Sequence, residues 1–133
     1  MKGLEISNLS EKSNQGSYGI VYTSWNADIV QNLLNETKKE LLSQGVDEKK
    51  IIIKEVPGAF ELPLATQVLA KEKGISSVIS LGAIIQGDTP HFDFISSSCI
   101  EGLQTVALNT NVPVICGVLT TNSVEQALER SDP

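Results

Sequence analysis

Five places along this chain carry side chains whose types and spacing can do chemistry. The run Gly82-Ala83-Ile84-Ile85-Gln86-Gly87-Asp88-Thr89 has the glycine spacing of a phosphate-binding loop, but Asp88 stands where that loop needs a lysine. A nucleoside triphosphate is therefore a poor ligand for it. A single phosphate can still be held by backbone N–H groups and the Thr89 hydroxyl ahead of a helix N-terminus. The same glycines equally suit a tight strand-to-helix turn. His91 is the only histidine and follows Pro90 where a helix should open. Its imidazole suits proton transfer near neutral pH, with Asp93 close enough in sequence to orient it, and a structural role is open too. Trp25, the only tryptophan, can stack on a flat heterocycle or cap the end of the core. Phe60-Glu61 follows a Pro57-Gly58 turn, and Glu61 offers a carboxylate either to ligand hydroxyls or to a helix dipole. Arg130 can grip a phosphate with its fork of donors or pair with a surface acid such as Glu129.

The elements that must position these groups alternate regularly. A segment at Leu4–Leu9 can pair at an edge, and Lys12 to Ser17 reads as a loop. Tyr18–Thr23 is a run of β-branched and aromatic residues and predicts the first core strand. Apolar residues at Ile29, Val30, Leu33, Leu34, Leu41 and Leu42 form one face of a helix. Asn26 or Asp28 is its expected cap and Gly45 its stop. Ile51–Val56 predicts a second strand. Leu62, Ala65, Val68 and Leu69 mark a second helix closed by Gly74, and Pro63 fixes its start close to Phe60. Ser77–Leu81 is the third strand, followed by a loop from Gly82 to Pro90. Ile95, Cys99, Leu103 and Val106 mark a third helix, Pro113–Leu119 a fourth strand. Ser123 with Gln126 fits a capping box opening a fourth helix.

Strand and helix alternating four times imply an α/β fold of flavodoxin type, a doubly wound three-layer α/β/α arrangement around a four-stranded parallel sheet. Ligands of such sheets sit outside the carboxyl ends of the strands. That rule points to Ser24–Asn26, Pro57–Glu61, Gly82–His91 and Thr120–Ser123. At 133 residues the chain is read as one domain over 1–133.

Bulk properties exclude several classes. The net charge of −6 leaves no basic face for nucleic acid. No apolar run approaches the ~18 residues of a membrane span, and the first residues, from Met1 to Glu5, lack the apolar core of a signal peptide. Cys99 and Cys116 form no CxxC pair and read as free thiols of a reducing cytoplasm. One histidine and two cysteines argue against zinc.

Three blocks resemble the lumazine synthase family: Val56-Pro57-Gly58-Ala59-Phe60-Glu61-Leu62-Pro63, the run from Leu81 to Phe94, and the run from Gly117 to Arg130. The family condenses 5-amino-6-(D-ribitylamino)uracil with 3,4-dihydroxy-2-butanone 4-phosphate. The product, 6,7-dimethyl-8-ribityllumazine, is the precursor of riboflavin, and no cofactor takes part. The resemblance implies that Trp25 stacks on the pyrimidine and that Ala59, Phe60 and Glu61 bind that substrate, Glu61 through ribityl hydroxyls. It implies backbone contacts from Ala83, Ile84 and Ile85, a phosphate turn at Asp88 and Thr89, a phosphate-pairing Arg130, and proton transfer by His91. It further implies homo-pentamers, in some members assembled into decamers or icosahedral shells, with Cys116 and Arg130 of one subunit beside Trp25 and His91 of the next.

The sequence departs from the family pattern at four places. Ser24 replaces a frequent arginine, Gln86 a basic residue, and Cys116 a phenylalanine. Beyond Pro133 the family continues with a glycine- and lysine-containing turn and a long helix; weakened packing and weak catalysis are expected if 133 residues are the full product, and a normal enzyme if the native chain is longer. These departures also fit a second reading, a catalytically impaired oligomeric scaffold or a flavin- or lumazine-binding relative.

Overall fold

The computed structural model describes residues 16–133, so the segment expected at Leu4–Leu9 and most of the expected loop after it lie outside the described residues. The elements run β1 (Ser17–Thr23), α1 (Ala27–Ser43), β2 (Ile51–Val56), α2 (Leu62–Ala70), β3 (Ile75–Ile85), α3 (His91–Thr110), β4 (Val114–Thr121) and α4 (Val124–Ser131). Single 3-10 turns at Glu48–Lys50 and Ala59–Glu61 precede β2 and α2. All strand pairs are parallel and the order is β2-β1-β3-β4. The expected doubly wound α/β fold is the one observed.

The central strands are apolar because both their faces are covered. Ile20, Val21 and Val78 are fully buried. Each contributes roughly 1.5–3 kcal/mol of burial. On one face α2 and α3 bring Leu62, Leu69, Cys99, Leu103 and Val106 onto Val21 and Val78. On the other, α1 and α4 pack together, where Ile29, Val30 and Ala127 meet Ala83. Burial pushes the Cys99 thiol up to about 11, with Cys116 adding to the effect.

Local chemistry explains most boundaries. Gly45 takes the left-handed conformation (φ 94°) that stops α1. Its N–H donates to Leu42 O and that of Val46 to Leu41 O, both at 3.1 Å, so two end carbonyls are satisfied and Val46 is buried beside Leu41. Pro63 lies in the first turn of α2, where its missing N–H costs no helix bond. Ser123 caps α4 by accepting from Gln126 N at 3.2 Å. The Gln126 side chain, however, accepts from Asn122 N at 2.8 Å, closing the box one residue early.

Several expectations need correction. Ser17 belongs to β1 rather than to the preceding loop. Neither Asn26 nor Asp28 caps α1 through its side chain; Asn26 holds the N-cap position in a left-handed conformation without a side-chain cap bond. The strand expected at Ser77–Leu81 runs from Ile75 to Ile85, so the loop read as Gly82–Pro90 is only its second half. Residues 82–85 stay in the sheet because they continue the ladder with Val118–Thr121 of β4, which itself outlasts its expected end at Leu119. Gly82 is closely packed there, since a Cβ would lie 3.3 Å from both Leu62 Cδ1 and Thr23 Cγ2.

Candidate active site at the switch point

The sheet order reverses between β1 and β3: β1 is flanked outward by β2, and β3 by β4. Connections leave in opposite directions on either side of that reversal, which opens a crevice beyond the carboxyl ends of the two strands. A cleft of about 240 Å³ occupies it. Trp25 and Asn26 come from the end of β1, and Ala59 and Phe60 from the 3-10 turn after β2. Ala83, Ile84 and Ile85 come from β3, Gly87 and Thr89 from the following loop, and His91, Phe92 and Ile95 from the start of α3.

The Trp25 segment is held by the sheet that ends beneath it. Ser24 N donates to Val56 O at 2.8 Å and Trp25 N to Pro57 O at 3.1 Å, which carries the β1–β2 pairing past both strands. The Thr23 hydroxyl, itself buried, donates to Trp25 O at 3.4 Å. The indole lies on Gly58 so closely that a Cβ there would sit 2.7 Å from Cε3 and 2.8 Å from Cζ3 of the ring. Gly58 is extended (φ −143°, ψ −178°), so the need for glycine at this position is the indole above it. Trp25 and Phe60 remain 66% and 68% exposed. Two exposed aromatic side chains flanking a backbone edge suit a flat heterocycle, which needs π-faces and in-plane hydrogen-bond partners.

The loop from Gln86 to Pro90 is anchored at its base, where Gln86 N donates to Thr121 O at 2.9 Å. Thr89 Oγ1 accepts from His91 N at 3.4 Å and so meets the first turn of α3. His91 itself is exposed on the cleft wall. The link expected between Asp93 and His91 is not formed: among the described residues no side-chain hydrogen bond joins them, and the His91 N–H donates to Thr89 Oγ1.

Of the residues singled out in the sequence, Trp25, Ala59, Phe60, Ala83, Ile84, Ile85, Thr89 and His91 line this cleft. Asp88 is exposed between two of its lining residues, Gly87 and Thr89. Glu61 lies at the edge of a separate groove between β2 and α2. One of its carboxylate oxygens accepts from Gly58 N at 3.0 Å, closing the turn that carries Ala59 and Phe60. Cys116 is exposed on the edge strand β4. Arg130 is on α4 at the groove against α1, with Nη1 donating to Gln126 O at 3.2 Å. Neither reaches the cleft of its own chain.

Sequence reasoning missed Phe92 and Ile95 as lining residues, although Ile95, four residues after His91, shares its face of α3. It placed Asn26 at the cap and Gly58 in the turn, as found, but not the Ala83 carbonyl and the indole that they meet. Among the described residues no group of three His, Cys, Asp or Glu is placed to hold a metal ion, and no helix is long and apolar enough to cross a membrane. The family model described as 6,7-dimethyl-8-ribityllumazine synthase matches residues 15–133.

Proposed function

The chain belongs to the 6,7-dimethyl-8-ribityllumazine synthase family, and from that premise we propose that it condenses 5-amino-6-(D-ribitylamino)uracil with 3,4-dihydroxy-2-butanone 4-phosphate in the cleft between β1 and β3. The observation that carries this reading is the exposed Trp25 indole seated on Gly58 across a cleft that also holds Phe60, the Ala83–Ile85 backbone and His91.

The pyrimidine stacks on Trp25 with its edge toward the backbone of Ala83, Ile84 and Ile85, while Ala59 and Phe60 close the other side. Glu61 keeps one carboxylate oxygen on Gly58 N and offers the other to ribityl hydroxyls. Asp88 and Thr89 form the turn that takes the phosphate. The aminouracil amine adds to the ketone carbonyl and water leaves as the imine forms. Phosphate is then eliminated, and the ribitylamine nitrogen closes the ring with loss of a second water. His91 moves protons at the carbinolamine oxygen and at the departing phosphate. Such a condensation needs chiefly two substrates held in register, with modest acid–base assistance.

Assembly follows from the same reading. Cys116 and Arg130 are exposed and remote from their own cleft. In a pentamer they complete the neighbour's site, Arg130 pairing with the phosphate and Cys116 facing the ligand. The protein then works in the cytoplasm as a homo-oligomer.

Trp25 supplies the test, because it is the sole tryptophan. Titration with the aminouracil substrate should quench its emission to saturation, and Phe60→Ala should weaken that binding severalfold. Emission that does not respond to the aminouracil overturns the placement of the substrate.

A further inference from the structure

We propose that Asn26 is a positioning residue of this site, its side-chain amide tying the Trp25 loop to the end of β3 so that the stacking face and the backbone edge stay in register. The inference rests on the stacking role proposed for Trp25 and deepens it.

Asn26 occupies the N-cap position of α1, where an asparagine side chain ordinarily accepts from the N2 or N3 amide. Here it makes no such bond. Its Nδ2 instead donates to Ala83 O at 3.1 Å, across 57 positions of sequence. Its backbone is left-handed (φ 58°, ψ 47°), a conformation asparagine and aspartate tolerate better than other side-chain-bearing residues. The Asn26 carbonyl is committed to the helix, accepting from Ile29 N at 3.1 Å and Val30 N at 3.0 Å. The side chain is thus left free to serve β3.

The acceptor explains the arrangement. The β1–β3 ladder ends with Tyr22 opposite Leu81, while β3 runs on to Ile85 beside β4. Ala83 therefore lies beyond the last β1 partner, and the Asn26 amide supplies the donor that the strand no longer provides. Trp25 is then bounded on one side by its N–H bond to Pro57 and on the other by Asn26. Asn26 does not act on reacting atoms; it fixes the distance between the indole and the Ala83–Ile85 edge.

Two variants separate this tie from the backbone conformation. Asn26→Gly keeps the left-handed geometry without strain and removes the amide. Asn26→Asp keeps the tolerance for that geometry and sets a carboxylate against the Ala83 carbonyl. Losing one bond of about 1 kcal/mol corresponds to about a fivefold change. The KM for the aminouracil should rise by about that factor in Asn26→Gly and further in Asn26→Asp, with kcat changed less than about twofold. In substrate-free protein, acrylamide should quench Trp25 more readily in both variants. KM and Trp25 quenching equal to the parent in both variants overturn the proposal. If the parent protein shows no turnover, the proposed reaction fails, and the quenching comparison still decides whether Asn26 holds Trp25.

Discussion

Gly58→Ala separates the geometry of the cleft from the stability of the fold. The added Cβ meets Trp25 Cε3 at 2.7 Å and Cζ3 at 2.8 Å, whereas carbon atoms rest at roughly 3.5–4.0 Å. The ring must retreat by about 0.8 Å or more. Trp25 is 66% exposed, so it can swing toward solvent instead of straining the core. Gly58 already has an extended backbone that alanine adopts, and alanine loses less freedom on folding, by about 0.4–1 kcal/mol. The expected change in unfolding free energy is therefore within about 1 kcal/mol in either direction. A displacement near 1 Å in a positioning group can cost about a hundredfold in rate, so kcat/KM should fall by roughly ten- to a hundredfold. Urea unfolding, tryptophan emission and steady-state product formation measure the three quantities. Activity within about threefold of the parent would refute the reasoning, as would a stability loss above ~2 kcal/mol with unaltered Trp25 emission.

Other expectations follow from packing and titration. Gly102→Ala sets a Cβ 2.8 Å from Cγ of the rigid Pro63 ring and should destabilise by about 1–3 kcal/mol in urea melts. Thr66 and Ser80 share a buried 2.7 Å hydrogen bond. Ser80→Ala should cost about 1–3 kcal/mol, and the double variant Ser80→Ala/Thr66→Val should recover much of it, because no buried hydroxyl is then left without a partner. The Cys99 thiol titrates near 11 in the folded chain, above its ordinary value of 9.0. A raised thiol pKa stabilises the fold fully below pH 9 and loses that contribution as pH rises through 11. Unfolding free energy should fall by on the order of 2 kcal/mol more between pH 8 and pH 10.5 in the parent than in Cys99→Ala. Tyr22, raised by its hydrogen bond to Glu55 and then by desolvation, titrates in the same direction in both proteins and cancels from the comparison.

What the sequence made legible was governed by local rules. The β-branched run at Tyr18–Thr23, the glycine stop at Gly45, the proline in the first turn of α2 and the Ser123 cap each act within a few residues, and each is found where expected. The switch-point rule then brought Trp25, Phe60 and His91 to one crevice. Features set by distant neighbours were misread. Gly82 looked like the start of a loop because the closeness of Leu62 and Thr23 is invisible along the chain. Gly58 is the turn glycine expected, but nothing local announces the indole above it. Asn26 stands at the expected cap position, but the partner of its side chain, Ala83, is supplied by another strand. Asp93, adjacent enough to suggest a link with His91, makes none, since residues two apart on a helix do not face each other.

We propose that the β1–β3 cleft carries out the condensation and that His91 moves its protons. The most direct measurement is phosphate release on mixing the purified protein with both substrates, the uncatalysed background subtracted, alongside His91→Ala. Release well above background is expected, with one phosphate for each lumazine formed and about a hundredfold slower turnover in the variant. Release no faster than background would contradict it, and so would a His91→Ala protein as fast as its parent.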